Sequence, residues 1–152
     1  MKNQVILFQG DSITDCGRSR EANVPNTGLG GGYPFMAAAH LLCAKAEDGL
    51  KFFNRGISGN RIVDLYARWK IDGLNLNPDV ISILIGVNDT WHAFGSNNGV
   101  EVPRFEQFYR MLLDSPGPPR SETGTLRAFR LCLRRSRPGL GSGNQPAPGS
   151  RP

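Results

Sequence analysis

A chain of 152 residues, 39% hydrophobic and 20% charged, has the length of one domain and enough apolar material for a core. Its formal charge of +5 is unevenly placed, because residues 1–114 hold 11 Lys/Arg against 12 Asp/Glu while residues 115–152 hold seven Arg against the single Glu122. The basic excess belongs to a tail with no regular basic face and Phe129 as its one aromatic residue, which argues against specific nucleic-acid binding, and no apolar run reaches membrane-spanning length.

Val5 to Gln9 is a short, nearly all-apolar run closed by a glycine, the pattern of a strand buried on both faces. Residues 14–32 form a polar, glycine-rich loop. Gly28, Gly30, Gly31 and Gly32 follow no strand directly and lack the G-x-G-x-x-G context, so they read as a flexible loop near a site mouth and not as a phosphate cradle. Pro34 suits a first helical position, and Phe35, Ala38, Ala39, Leu42, Cys43 and Ala46 then share one helical face. Lys51 to Phe53 is a brief second strand, and Ile62, Leu65, Tyr66 and Trp69 recur at helical spacing. Asp79 to Ile85 is the strongest strand signal, β-branched and apolar almost throughout. Pro103 opens a further helix with Phe105, Phe108, Tyr109 and Leu112 on one side. Three strands separated by helices predict parallel pairing with right-handed crossovers.

The composition changes after Asp114. Residues 115–152 contain seven Pro and six Gly and no Val, Ile, Lys, Asp or Tyr, which predicts disorder and few prospects for another strand, although Leu126 to Leu133 has the makings of a brief helical coil. The expected organisation is a partial catalytic domain over 1–114 and an Arg/Pro/Gly-rich tail over 115–152. The abrupt change suggests a reading-frame shift or an aberrant truncation near Asp114, with an authentic disordered tail as the alternative. A chain ending after three strands would leave Val80 to Ile85 on an open edge, from which low solubility follows. Cys16, Cys43 and Cys132 are odd in number and show no C-x-x-C spacing, so neither a disulfide framework nor a zinc site is expected. With Met1-Lys2-Asn3-Gln4 leading directly into a strand, a cytoplasmic location is expected.

Three segments carry chemistry: Gly10-Asp11-Ser12-Ile13 directly after the first strand, Asn54-Arg55-Gly56-Ile57-Ser58-Gly59-Asn60, and Ile85-Gly86-Val87-Asn88-Asp89. A serine lifted to the carboxyl edge of a buried strand stands where crevices form in α/β sheets. Together the three segments resemble the SGNH (GDSL-type) hydrolases, and GDSITDCGR, NRGISGNRIVDLYARW and IGVNDTW are most similar to the carbohydrate acetylesterases of the acetylxylan-esterase type. The resemblance runs from about Val5 to about Asp114 and implies a three-layer α/β/α, flavodoxin-like fold with a parallel sheet, here reduced to about three of the family's five strands.

The resemblance also implies roles. Ser12 matches the nucleophile, and the backbone N–H of Ser12, the backbone N–H of Gly59 and the side-chain amide of Asn88 match the oxyanion hole. Glycine suits the second position because a Cβ would hinder close approach to substrate, and a neutral amide donates without titrating. Each position has a plainer reading: Ser12 as a turn or helix cap, Gly56 and Gly59 as a turn, Asn88-Asp89 as a cap. Asp11 shapes the turn around Ser12. Trp91 either lines a sugar-binding wall or belongs to the core. The family's Asp-x-x-His, which supplies the base, is absent, and His40 and His92 are the only histidines. His40 lies mid-helix among alanines and leucines as a surface or packed residue, while His92 falls four residues after Asn88. The expectation is a serine ester hydrolase acting on a small ester or an acetylated carbohydrate, weak or inactive as this chain, with no metal or organic cofactor and no membrane or specific nucleic-acid partner. The alternatives are a non-catalytic carbohydrate-binding remnant and an interaction carried by the tail arginines.

Overall fold

The computed structural model describes residues 2–115 and the backbone of Arg127–Arg130. In chain order it has strand β1 (Val5–Gly10), a single helical turn α1 (Ser12–Asp15), helix α2 (Tyr33–Ala44), strand β2 (Lys51–Asn54), helices α3 (Ile62–Ala67) and α4 (Trp69–Asp72), strand β3 (Val80–Leu84), helices α5 (Val87–Ser96) and α6 (Val102–Asp114), and strand β4 (Arg127–Arg130).

The strands form one parallel sheet in the order β2-β1-β3-β4. Val5 lies opposite Lys51 on one side of β1, and Ile6 opposite Val80 on the other. Because β1 has neighbours on both edges and helices over both faces, Ile6 through Gly10 are all buried, as the continuous apolar run predicts. Alternation along the strands divides the core. Leu7, Ile81 and Ile83 face Ile62, Leu65, Trp69 and Leu112 of α3, α4 and α6, whereas Ile6, Phe8 and Phe52 face Leu29, Ala38 and Leu50 on the α2 side. The result is the three-layer α/β/α arrangement with a parallel sheet.

The order β2-β1-β3 also fixes where a crevice opens. The chain leaves β1 toward β2 on one side and returns past β1 to β3 on the other, so the connections diverge between the carboxyl ends of β1 and β3. Those ends carry Ser12 and Asn88.

Three expectations are corrected. In α2 the buried residues are Pro34 and Ala38, with Tyr33, Ala37, Leu41 and Leu42 packed partly against the core, while Phe35, Ala39 and Cys43 are exposed. A helix of alanines and leucines is apolar nearly all round, so its sequence marks no side for burial. Second, α5 was not separately anticipated: it begins inside the Gly-x-Asn-Asp segment. Third, the segment read as tail contributes β4, paired in parallel with β3 with Val80 opposite Arg127 and Ile83 opposite Arg130. A strand thus stands at residues 127–130 where no further strand is expected, and β3 has a neighbour on its second edge. A four-residue parallel strand needs backbone partners more than an apolar composition, and the free edge of β3 provides them. The rest of the predicted tail, residues 116–126 and 131–152, lies outside the described residues. Among the described residues no helix is long and apolar enough to cross a membrane.

Leu65 is fully buried while Leu113 on α6 is 42% exposed. Leu65→Ala should lower the unfolding free energy by about 2–5 kcal/mol, and Leu113→Ala by no more than about 0.5 kcal/mol. Urea denaturation reads both, and equal midpoints for the two variants would contradict this core assignment.

Candidate active site

Ser12 is exposed at the first position of α1, immediately beyond the buried end of β1. Its neighbour Asp11 is buried and turns its Oδ1 back to accept from the Ile13 N–H at 3.0 Å, so the carboxylate shapes the turn and leaves the serine outside it. Burial pushes the Asp11 carboxyl above its usual range, against the lowering effect of that N–H. Gly10 admits no side chain, because a Cβ would fall on the Leu84 carbonyl oxygen and the Thr14 Oγ1. The close approach of β1, β3 and α1 at this point sets the height at which Ser12 emerges.

The second segment is pinned to the first. Ile57 N–H donates to the Gly10 carbonyl at 3.0 Å, and Ser58 donates both its N–H and its Oγ–H to Asp15 Oδ2, at 2.9 and 2.8 Å. Arg20 closes on the same carboxylate oxygen at 2.5 Å. Burial alone would raise the Asp15 carboxyl, but the two Ser58 bonds and the charges of Arg20 and Arg18 together hold it below the usual carboxylate range. Arg18, buried behind this pair, donates Nε to the Gly56 carbonyl at 2.6 Å. Burial, then the neighbouring Arg20 and Arg55 charges, push its guanidinium down to about 10.

Gly59 has φ +84° and open space where a Cβ would stand. The reason for glycine is thus the left-handed backbone and not crowding from the protein. Its neighbour Asn60 offers a carbonyl oxygen that accepts from Asn88 Nδ2 at 3.0 Å, which leaves the amide a second N–H. Asp89 is buried and accepts the Ile62 N–H at 3.0 and 3.2 Å, capping the start of α3 from the third segment. Burial raises the Asp89 carboxyl, and the Ile62 N–H opposes that rise.

The structure therefore links the sequence-predicted Ser12, Gly59 and Asn88 through the Asp15–Ser58 and Asn60–Asn88 bonds, at one end of the sheet. Trp91 on α5 is 71% exposed, so the core reading for it fails. His40 is exposed on α2, and His92 is half-buried on α5. Among the described residues no hydrogen bond joins either histidine to Ser12. Sequence reasoning missed Asp15 and Arg68, and the cap it read in Asn88-Asp89 falls on the preceding α3 and not on the segment that follows. Their partners lie far along the chain, and Arg61 stands where a capping box would normally show Ser or Thr.

The GDSL-like lipase/acylhydrolase family matches this chain over residues 8–139. The chain belongs to that family. An acetylxylan esterase from Geobacillus stearothermophilus is 46% identical over 90 residues, 59% of this chain and 41% of that protein. A solved structure from Parabacteroides merdae, assigned as GDSL-like lipase, superposes with TM-score 0.71 at 52% identity, over 74% of this chain and 52% of the other. The solved Geobacillus esterase gives TM-score 0.69 at 38% identity, over 74% of this chain and 53% of that one. The chain thus spans about half the length of the relatives it matches. Catalytic mutants of the Geobacillus esterase replace a serine, an aspartate, and a histidine three positions beyond that aspartate, each by alanine.

Two outcomes follow from this geometry. Gly59→Ala should cost about 1–2 kcal/mol of stability from the left-handed backbone alone, without the larger loss of a packing clash, as read by thermal unfolding. A carboxyl held low when folded contributes stability above its unfolded pKa that is lost as pH falls through the folded value. For Asp15 that loss falls below about pH 4. The difference in melting temperature between wild type and Asp15→Asn should accordingly shrink from pH 6 to pH 3, and a difference that grows toward acid would refute the assignment.

Proposed function

We propose that this chain is a serine ester hydrolase of the SGNH type whose substrates are acetylated carbohydrates or small acetate esters. The observation that carries the reading is the cross-bonding of three loops at the divergence between β1 and β3. It ties the turn that carries an exposed serine to the glycine loop, and that loop to an asparagine amide. Ser12 Oγ attacks the ester carbonyl carbon. The carbonyl π electrons move onto oxygen, where the N–H groups of Ser12 and Gly59 and the Asn88 amide meet the developing charge. As this intermediate collapses, the bond from carbon to the sugar oxygen breaks, the proton given up by Ser12 passes through water to that oxygen, and an acetyl-serine remains. Water then attacks the ester, returning one proton to Ser12 Oγ and releasing acetate with its second proton lost to solvent.

Each oxyanion donor of this kind contributes about 2.7–4 kcal/mol of transition-state stabilisation. The proton of Ser12 needs a base. The aspartate and histidine replaced in the catalytic mutants of the Geobacillus esterase stand three residues apart, and this chain has no histidine beyond His92. With neither histidine bonded to Ser12, turnover by this chain would rest on the donors and binding, about 10³–10⁴-fold over water. The same observation supports a second reading, a carbohydrate-binding remnant in which the exposed Trp91 offers an aromatic face to a sugar ring.

Hydrolysis of a chromogenic acetate ester by the purified chain should exceed that of Ser12→Ala, with the variant at the solvent background. Equal rates would end the esterase reading. Saturable binding of an acetylated oligosaccharide without turnover, abolished by Trp91→Ala, would select the remnant instead.

A further inference from the structure

We propose that Arg68 is the positioning residue of the oxyanion hole, one guanidinium that sets the spacing between the nucleophile loop, the Gly59 loop and Asn88; this rests on the esterase reading above. Arg68 joins α3 to α4, and only 13% of its side chain is accessible. Its Nη2 donates to the Gly10 carbonyl at 3.1 Å, two residues before Ser12. Its Nη1 donates to the Arg55 carbonyl and to Gln9 Oε1, both at 2.8 Å, and its Nε donates to Asn60 Oδ1 at 2.7 Å. Asp72, 3.3 Å from Nη1, is its counter-charge.

The acceptors fall in a telling set. Gly10 belongs to the nucleophile segment, and Arg55 and Asn60 bracket the loop carrying Gly59. Asn60 in turn presents its backbone carbonyl to Asn88. One planar cation therefore reaches two of the three segments directly and the third through a single residue. A guanidinium offers five N–H donors in a fixed fork, so its contacts set distances and angles together; an ammonium on a flexible stem cannot reproduce them. Displacing an oxyanion donor lowers transition-state stabilisation more than ground-state binding.

Side-chain amide hydrogen exchange by NMR tests this on the full chain. Asn54 is the internal control. Its amide is buried on the Thr14 and Leu29 carbonyls, at 2.6 and 2.8 Å, and neither of these partners is an acceptor of Arg68. In Arg68→Lys the Asn88 side-chain amide should exchange at least about tenfold faster, while the Asn54 amide keeps the wild-type rate. Asn60→Ala removes one Arg68 acceptor and spares the others, so it should reproduce the Asn88 effect and serves if Arg68→Lys does not fold. An unchanged Asn88 amide in the folded variants, or equal acceleration at Asn54 and Asn88, overturns the proposal, the latter because it reports general loosening. Kinetics give the second reading. With a chromogenic acetate, Arg68→Lys should lower kcat about tenfold or more and leave KM within about twofold. A loss confined to KM also overturns the positioning role. If wild type turns over no faster than Ser12→Ala, the esterase reading fails separately, and the Asn88 exchange rate still decides what Arg68 does to this site.

Discussion

The side chain of Asn54 is the junction on which the crevice end of the sheet depends. At the end of β2 it gives Nδ2 to the Thr14 and Leu29 carbonyls and accepts the Gly56 N–H on Oδ1 at 2.9 Å. Parallel strands end with backbone groups pointing into loops, and at a buried end each unpaired group costs about 1–3 kcal/mol. Asn54 answers three of them at once, in the α1 turn, the glycine-rich loop and its own segment. Those loops pack close enough that a Cβ on Gly56 would meet the α1 backbone. The loop at Gly28 to Gly32 is accordingly packed against α1, where a Cβ on Gly30 would crowd the Asp15 and Cys16 carbonyls.

On that junction the electrostatics divide by depth. Asp15, beside Arg20 and Ser58, is stabilised as a carboxylate, whereas Asp11 and Asp89 are held by backbone N–H groups in drier surroundings that favour protonation. At neutral pH the two kinds of carboxyl oppose each other in the stability of the fold. The raised groups contribute most when acid, and lose that contribution as pH rises through their folded values. The local cost at Asp11 and Asp89 goes with what they do: one shapes the turn that exposes Ser12, and the other locks the third segment to α3.

What the sequence made legible is what depends on local pattern. β1 and β3 announce themselves because strands covered on both faces must be apolar at nearly every position. Ile62, Leu65 and Trp69 reveal α3 and α4 because one side of that segment is polar. The buried side of α2 stayed hidden behind alanine, and α5 behind a polar sequence whose Trp91 and Phe94 stand 71% and 87% exposed. β4 was hidden by composition, since pairing with β3 supplies what its own residues do not advertise. At the site, Ser12, Gly59 and Asn88 could be located through motif order. Asp15, Arg68 and the role of Asp89 could not, because their meaning lies in partners 27 to 59 residues away.

The central place of β1 has a consequence for the time course of synthesis. β1 leaves the ribosome before either of its partners, which begin only at Lys51 and Val80. Until both have emerged, Ile6 to Phe8 have no sheet to join, and closing such distant pairs delays the gain in contacts that offsets the lost chain entropy. The nascent chain therefore carries this apolar strand unprotected until Val80 and its neighbours have followed it, the interval in which holding chaperones act and intermolecular pairing competes with folding.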